Sequence, residues 1–393
     1  MATTDGAQTR IRWRARRTPL AWRNIVHNKV TLVISAAAVS FAVLIMFMEL
    51  GFLNGLYDSQ TGALQFLNAD LVMVSRNLHI LNTHETFPRS RLEQAAGFKG
   101  VKGAYPIYME DIFSDLRNPG TGIKNGIRVL GFDPRHPIFE SRGINNLVDG
   151  LRTPMTILFD ETSRSYFGSL PAGTATELAD RAVTVAGAFD LGPDYYYDGN
   201  VLTSTDTFFT LFSHRKREEV FVGVIQLEEG ASPDAVLREL SRAYWPEVEV
   251  LKKSAIVARE KATWQKATPA GYIFTMGMAV GFVIGIFICY QILYTDISDH
   301  LAQLATMKAL GYQNRDLVRL VLTQAVLLGL IGFLPAVVMT LGLYSLLTAI
   351  TGIVTKLTLG RIAFVFALTL GMCFVSGLLA VRKALAVDPA EIF

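Results

Sequence analysis

The 393-residue chain is 51% hydrophobic and only 18% charged, a balance too apolar for an ordinary soluble protein of this length. Its 37 Lys and Arg residues nearly offset 34 Asp and Glu, so the formal charge of +3 leaves no overall footprint for nucleic acid. Two cysteines and six scattered histidines exclude a disulfide-stapled fold and show no Cys/His spacing for a metal.

Residues 1–29 form a basic segment, with Arg10, Arg12, Arg14, Arg16, Arg17, Arg23 and Lys29 against a lone Asp5. Thr18-Pro19 opens a helix whose Ala21, Trp22, Ile25 and Val26 share one face, which predicts an interfacial helix on anionic lipid rather than a nucleic-acid arm. No cleavable signal peptide is expected, because the first apolar run starts late and is too long. Apolar runs at Val30 to Phe52, Ala270 to Leu293, Leu317 to Ala349 and Ile362 to Val381 each supply the roughly 20 helical residues that cross a bilayer core. The basic flank keeps the N-terminus in the cytoplasm, four spans return the C-terminus there beside Arg382 and Lys383, and the long segment after the first span is then external.

Residues 30–56 read as the first transmembrane helix with the start of a stalk, and 57–251 as an external domain of α+β character. Strand-like runs lie at Asp70 to Ser75, Val101 to Tyr108, Ile127 to Phe132, Met155 to Asp160, Ala182 to Phe189 and Val220 to Leu227. Helical patterns lie at Ser90 to Ala96 and Ser232 to Tyr244, and the mixture allows two subdomains. Tyr195, Tyr196 and Tyr197 could form a contact loop or pack on their own domain. His214 to Arg217, facing Glu218 and Glu219, reads as a solvated loop, and the pairs Glu110-Asp111 and Asp160-Glu161 as turn or surface acids.

Residues 252–294 read as a stalk running into the second transmembrane helix, interrupted only by Pro269. That helix carries Gly277, Gly281 and Gly285, a small-residue stripe suited to close packing, either between two copies of the chain or against the first or fourth span. Residues 295–313 read as a cytoplasmic helix, with Ile297, Leu301, Leu304 and Ala305 on one face, Gly311 as its stop, and Asn314 and Asp316 as caps of the next helix. A third transmembrane helix (314–350) overshoots the bilayer core, and Pro335 offers it a kink. A short external loop (351–361), a fourth helix (362–382) and a cytoplasmic tail (383–393) complete the chain.

Glu49 is the one acid inside the spans and sits where interfacial anchoring suits it, so no proton relay is evident. No GxxxxGK[ST] loop occurs, so ATP is not cradled in that way here, and no spacing suggests a nucleophile with its base.

The string Asp296, Ser298, Asp299, His300, Leu301, Gln303, Ala305, Thr306, Lys308, Ala309, Gly311, Tyr312 resembles the coupling segment of DevC permeases, a branch of the MacB/FtsX-type (type VII) ATP-binding cassette exporters. Leu20-Ala21-Trp22-Arg23-Asn24, Met46 to Phe52 and Val387 to Phe393 resemble the same family. The resemblance implies a membrane α-helical fold of four transmembrane helices with a large α+β extracytoplasmic domain (porter/sabre-like) between helices 1 and 2, in the bacterial inner membrane. It implies a homodimer that binds an ATPase dimer through Asp296, Ile297, Asp299, His300, Leu301, Gln303, Leu304, Thr306, Lys308, Gly311 and Tyr312. ATP and Mg would then be held by that partner, with no cofactor on this chain. A periplasmic membrane-fusion adaptor and an outer-membrane TolC-like channel would carry lipid, glycolipid or another small molecule outward. An FtsX-like signalling module activating a cell-wall hydrolase, or a lipoprotein-release permease, would use the same machine.

Overall fold

The computed structural model describes residues 29–140, 144, 147–243, 245–267, 269–352, 355 and 357–385. The basic segment with its expected interfacial helix, up to residue 28, and the C-terminal stretch from residue 386 lie outside the described residues. The chain divides into two compact units, Met1–Met48 with Gly277–Leu341 and Thr358–Phe393, and Glu49–Met276 with Gly342–Leu357.

Four helices are long and apolar enough to cross a membrane: Lys29–Gln60, Pro269–Asp299, Asn314–Thr351 and Leu359–Leu385. Each contains one of the apolar runs and extends beyond it, because a helix continues until a cap or breaker stops it. Within the first unit they pack through rings and small residues. Phe333 lies between Phe47 and Phe366, with ring centroids 5.9 and 5.1 Å away. Pro335 sits inside the third helix and cannot donate to the carbonyl four residues before it. At the neighbouring Gly332 carbonyl, Ser40 Oγ of the first helix donates at 2.7 Å. The third helix is longer than the bilayer requires, and from Gly342 outward it belongs to the second unit, where Gly51 abuts Tyr344 and Gly352 abuts Pro193.

The second unit is built on β1 (Leu71–Ser75), β2 (Phe87–Pro88), β3 (Val101–Glu110), β4 (Asp115–Arg117), β5 (Lys124–Gly126), β6 (Arg128–Phe132), β7 (Thr156–Asp160), β8 (Ala175–Leu178), β9 (Arg181–Phe189), β10 (Asn200–Ser204), β11 (Glu219–Val220), β12 (Val222–Leu227) and β13 (Val248–Lys252). Eleven of these form one continuous sheet in the order β13-β1-β12-β3-β6-β10-β7-β9-β8-β4-β5, and β2 pairs with β11. Neighbours run antiparallel except β6 with β10 and β7 with β9. Both faces are covered. Leu71 and Met73 enter a cluster with Leu92, Phe208 and Leu240 from short helices, whereas Val72 and Val74 enter another with Leu64 and Ile256 on the opposite side. A strand buried on both faces reads as a continuous apolar run, which is why β1, β6 and β7 show no alternation.

Five of the six strand-like runs are single strands, the sixth (Val220 to Leu227) is divided at Phe221 between β11 and β12, and both helical patterns are present, the second as Pro233–Arg242 with residue 244 outside the described residues. The expected fold class, four long apolar helices flanking a large mixed α/β domain between the first and second, is the one observed.

Candidate functional site

The stretch Asp296 to Tyr312 is not a single helix. Asp296, Ile297 and Asp299 complete the second membrane helix, His300 makes the turn, and Leu301–Ala309 is a separate nine-residue helix. His300 Nδ1 lies 2.8 Å from the Asp296 carbonyl and stabilises the break. Gly311, at φ 89°, ends the short helix, and Tyr312 N donates back to Met307 O at 3.1 Å. The next helix is capped by Asp316, whose Oδ2 accepts from Gln313 N at 3.1 Å, while Asn314 is its first helical residue.

A nine-residue helix is unstable on its own, so it must lean on the rest of the protein. Leu304 and Ala305, with Ile297 before them, are buried within this chain and Leu301 is half-buried. Asp296 accepts from Gln324 Nε2 at 3.1 Å, and Lys308 Nζ donates to the Leu385 carbonyl at the end of the fourth helix at 2.8 Å. The face left at the surface carries Gln303, Thr306, Leu310 and Tyr312, the last two 74% and 46% exposed. The apolar stripe read from the sequence thus packs within the chain at Ile297, Leu304 and Ala305, and the accessible face of the short helix is the other one. A charge at Leu304 would disrupt the elbow itself rather than a contact beyond it.

Gly281 and Gly285 of the second membrane helix are buried, and Gly277 is half-buried. A methyl group added at Gly281 would stand 3.0 Å from Ile45 Cγ2, and one at Gly285 would stand 2.4 Å from Met372 Sδ and 3.4 Å from Ala42 Cβ. These two glycines thus admit the first and fourth helices of the same chain. Cys289, on the same face, brings its Sγ to 3.7 Å from Cys373 Sγ.

The stalk is a helix, Lys253–Ala267, and the second membrane helix is Pro269–Asp299, residue 268 between them lying outside the described residues. Trp264 is fully buried among Leu53, Leu56 and Tyr57 from the outer end of the first helix. The rings of Tyr195 and Tyr196 lie 5.9 and 5.4 Å from it, whereas Tyr197 turns inward and donates to Asp111 Oδ2 at 2.7 Å. Tyr197 thus packs inside its own domain, while Tyr195 and Tyr196 rest against Trp264 and stay 60% and 48% exposed. Its loop is anchored by Arg128, which donates to Asp194 Oδ2 at 2.9 Å and to Asn200 Oδ1 at 2.8 Å. Lys261 pairs with Asp58 at 2.8 Å, fastening the stalk to the first helix a second time.

Glu260 of the stalk is buried and accepts from Leu81 N and Trp264 Nε1, both at 3.1 Å. Burial raises its carboxyl above the usual range, against the opposing pull of these two donors and Arg259. A raised acid costs folding stability as pH climbs above its ordinary value of about 4.5. Glu260→Gln keeps an acceptor for both N–H groups, so it should be at least as stable as the wild type at pH 7 and should lose that decline. Thermal unfolding at pH 4 and pH 7 measures this; if Glu260→Gln weakened the protein at pH 7 as much as Glu260→Ala, the charge itself would be holding the stalk.

Of the two readings of these acids, turn or surface, Glu110 and Asp160 take the first: both are completely buried and bind the amides of the turns that follow them. Glu110 Oε1 accepts from the amides of Asp111, Ile112 and Phe113, and its Oε2 lies 2.7 Å from Arg215 Nε and 2.8 Å from His214 Nε2. Asp160 accepts from the amides of Thr162, Leu191 and Gly192 and from Asn200 Nδ2. Each carboxylate closes a strand end by gathering loop amides that would otherwise be buried unpaired. The 214–217 segment is the solvated loop read from the sequence, with His214, Lys216 and Arg217 exposed, and it is tethered by His214 and Arg215 on Glu110 and by Arg217 on Asp206 at 2.9 Å. Among the described residues no group of three or more His, Cys, Asp and Glu is placed to hold a metal ion.

Residues 275–389, from within the second membrane helix through the elbow and the third and fourth helices, match the family model described as FtsX-like permease C-terminal. Comparison with curated protein sequences finds no match. Among solved structures, the periplasmic region of MacB from Actinobacillus actinomycetemcomitans is similar at 10% identity and a TM-score of 0.34, covering 52% of this chain and 95% of that one. The extracellular domain of the noncanonic ABC-type transporter YknZ from Gram-positive bacteria is similar at 11% identity and a TM-score of 0.32, covering 47% and 99%.

Proposed function

Taking a membrane half of FtsX-like permease type as the premise, we propose that this chain is the permease subunit of an ATP-driven export system of the DevC branch. The observation that carries the reading is the family match across the elbow and its three helices. Two copies in a bacterial inner membrane, with both termini cytoplasmic and the large domain periplasmic, would receive an ATPase dimer on the exposed elbow face. Nucleotide-driven closure of that dimer would shift the helices, and the stalk, clamped through Trp264 and the Lys261–Asp58 pair, would carry the motion into the sheet. Substrate, a lipid, glycolipid or other small molecule, would be expelled through a periplasmic adaptor and an outer-membrane channel.

The reading is tested at the surface of the elbow. Leu310→Asp combined with Tyr312→Ala alters two exposed side chains without touching the buried face. Co-purification with the ATPase subunit, and stimulation of its hydrolysis, should fall by roughly ten-fold or more, the loss of about 1.4 kcal/mol at one contact. Membrane insertion should be unaffected. Unchanged stimulation would remove the elbow from the mechanism, and recovery of a cell-wall hydrolase in place of an adaptor would replace export by signalling.

A further inference from the structure

At the C-terminal ends of β6 and β10, in the middle of the sheet, the second unit holds a cleft of about 900 Å³. Its origin is topological. β6 and β10 are adjacent and parallel, so the segments leaving them, 133–136 and 205–210, start side by side and must diverge, and the turn before β7 forms the remaining wall. The cleft lies at the opposite end of the β6–β10 pair from the Arg128, Asp194 and Asn200 network that anchors the tyrosine loop.

Four guanidinium groups line it, Arg89, Arg135, Arg152 and Arg217, against two carboxylates, Asp133 and Asp206. Each arginine has one carboxylate partner, which orients it and offsets much of its charge while leaving N–H donors free for a ligand. Arg135 grips Asp133 through Nε and Nη2, and Arg217 meets Asp206 through Nη2, while Arg152 and Arg89 each use Nε on Asp149 and Glu93 at 3.0 and 2.9 Å. A guanidinium has five N–H donors, so these pairings orient the groups and leave donors over. Two further features mark the walls. Met155 adopts φ 57°, a left-handed conformation unusual for a side chain of its size, and is held there by donation of its N–H to Thr207 Oγ1 at 3.1 Å. Thr205 Oγ1 is buried and makes no hydrogen bond within the chain. The stacked rings of Tyr105 and His136, with centroids 4.3 Å apart, add an apolar flank beside this donor-rich wall.

We propose that this cleft is a binding site for a molecule bearing a phosphate-type oxyanion, the arginines taking the charged group and the Tyr105–His136 stack its less polar neighbour. The chemistry is shared by a soluble phosphate compound and by the head of an anionic lipid. The site does not rest on the permease reading, because binding can be measured on the purified full chain without its ATPase. In non-ionic detergent, calorimetric titration with pyrophosphate and with water-soluble dihexanoyl phosphatidic acid should give saturable binding of at least one, weakened by added salt. Tighter binding of the phosphatidic acid assigns the site to a lipid head, and tighter binding of pyrophosphate assigns it to a soluble phosphate. Arg135→Gln with Arg217→Gln should weaken binding ten-fold or more, and Asp206→Asn, which removes a lining carboxylate, should tighten it several-fold. A folding defect would weaken both variants, so opposite shifts are required. Absence of saturable binding of either probe, or the same response in both variants, would overturn the proposal.

Discussion

Glu110→Ala is expected to destabilise the external unit by about 3–5 kcal/mol, the range for removing one partner of a buried, hydrogen-bonded charge pair. Arg215 and three backbone amides would lose their acceptor at once, inside a site from which Glu110 is wholly shielded. Burial pushes this carboxyl up, but Arg215 and the Ile112 and Phe113 amides outweigh it and hold its pKa at about 2 against an ordinary 4.5. The displacement corresponds to about 3 kcal/mol. Because the folded value is the lower one, this stabilisation is complete above about pH 4.5 and is lost as pH falls through about 2. In detergent, thermal unfolding of the full chain should show a melting point lower by roughly 6–20 °C at pH 7. The difference between wild type and variant should shrink on acidification. A variant that melts with the wild type at pH 7 would mean that the Glu110 cluster is ornamental to the fold.

Gly332→Leu is expected to be as damaging in the membrane unit. A methyl group at this position would stand 2.6 Å from Val39 Cγ1 and 3.3 Å from the Ala36 carbonyl, and leucine adds three more carbons. The first and third helices would have to separate, and the Ser40 hydrogen bond to Gly332 O would be lost with them. Overpacking of this kind costs about 1–3 kcal/mol for added methylenes and more when backbone stands in the way. Gly342→Leu in the same helix is the control, since a side chain there meets nothing within 4 Å. Monodisperse yield in detergent should collapse for Gly332→Leu and be retained for Gly342→Leu. Equal behaviour of the two would show that the helices are not packed this closely.

The strands that escaped the sequence show where period and composition lose their force. β10, Asn200–Ser204, carries Asn200, Thr203 and Ser204, which look like loop residues but are buried in the sheet, with Asn200 on Asp160 and Thr203 on the Thr156 carbonyl. Polar side chains satisfied by distant partners cannot be told from exposed ones until the partners are known. The same blindness left Glu110 and Asp160 undecided between turn and surface acids. In the elbow, a helical stripe of Ile297, Leu304 and Ala305 announces a buried face without saying what buries it, and a partner protein and the chain's own helices give the same pattern.

What the sequence determined by itself is the part set by local physics. Twenty apolar residues in a row must cross a bilayer or hide from water, so four membrane helices and a folded domain between the first two follow from hydropathy and length. The strand runs follow from β-branched and aromatic residues between turn formers, and the end of the elbow follows from Gly311. The tertiary structure alone decided which faces remain free and which charges are buried. It seated Gly281 and Gly285 on helices of their own chain, placed Trp264 under Tyr195 and Tyr196, and gathered four arginines from separate segments around one cleft. Those outcomes depend on contacts between residues far apart in the chain, whose energies are set by mutual packing and desolvation rather than by any property a single segment carries.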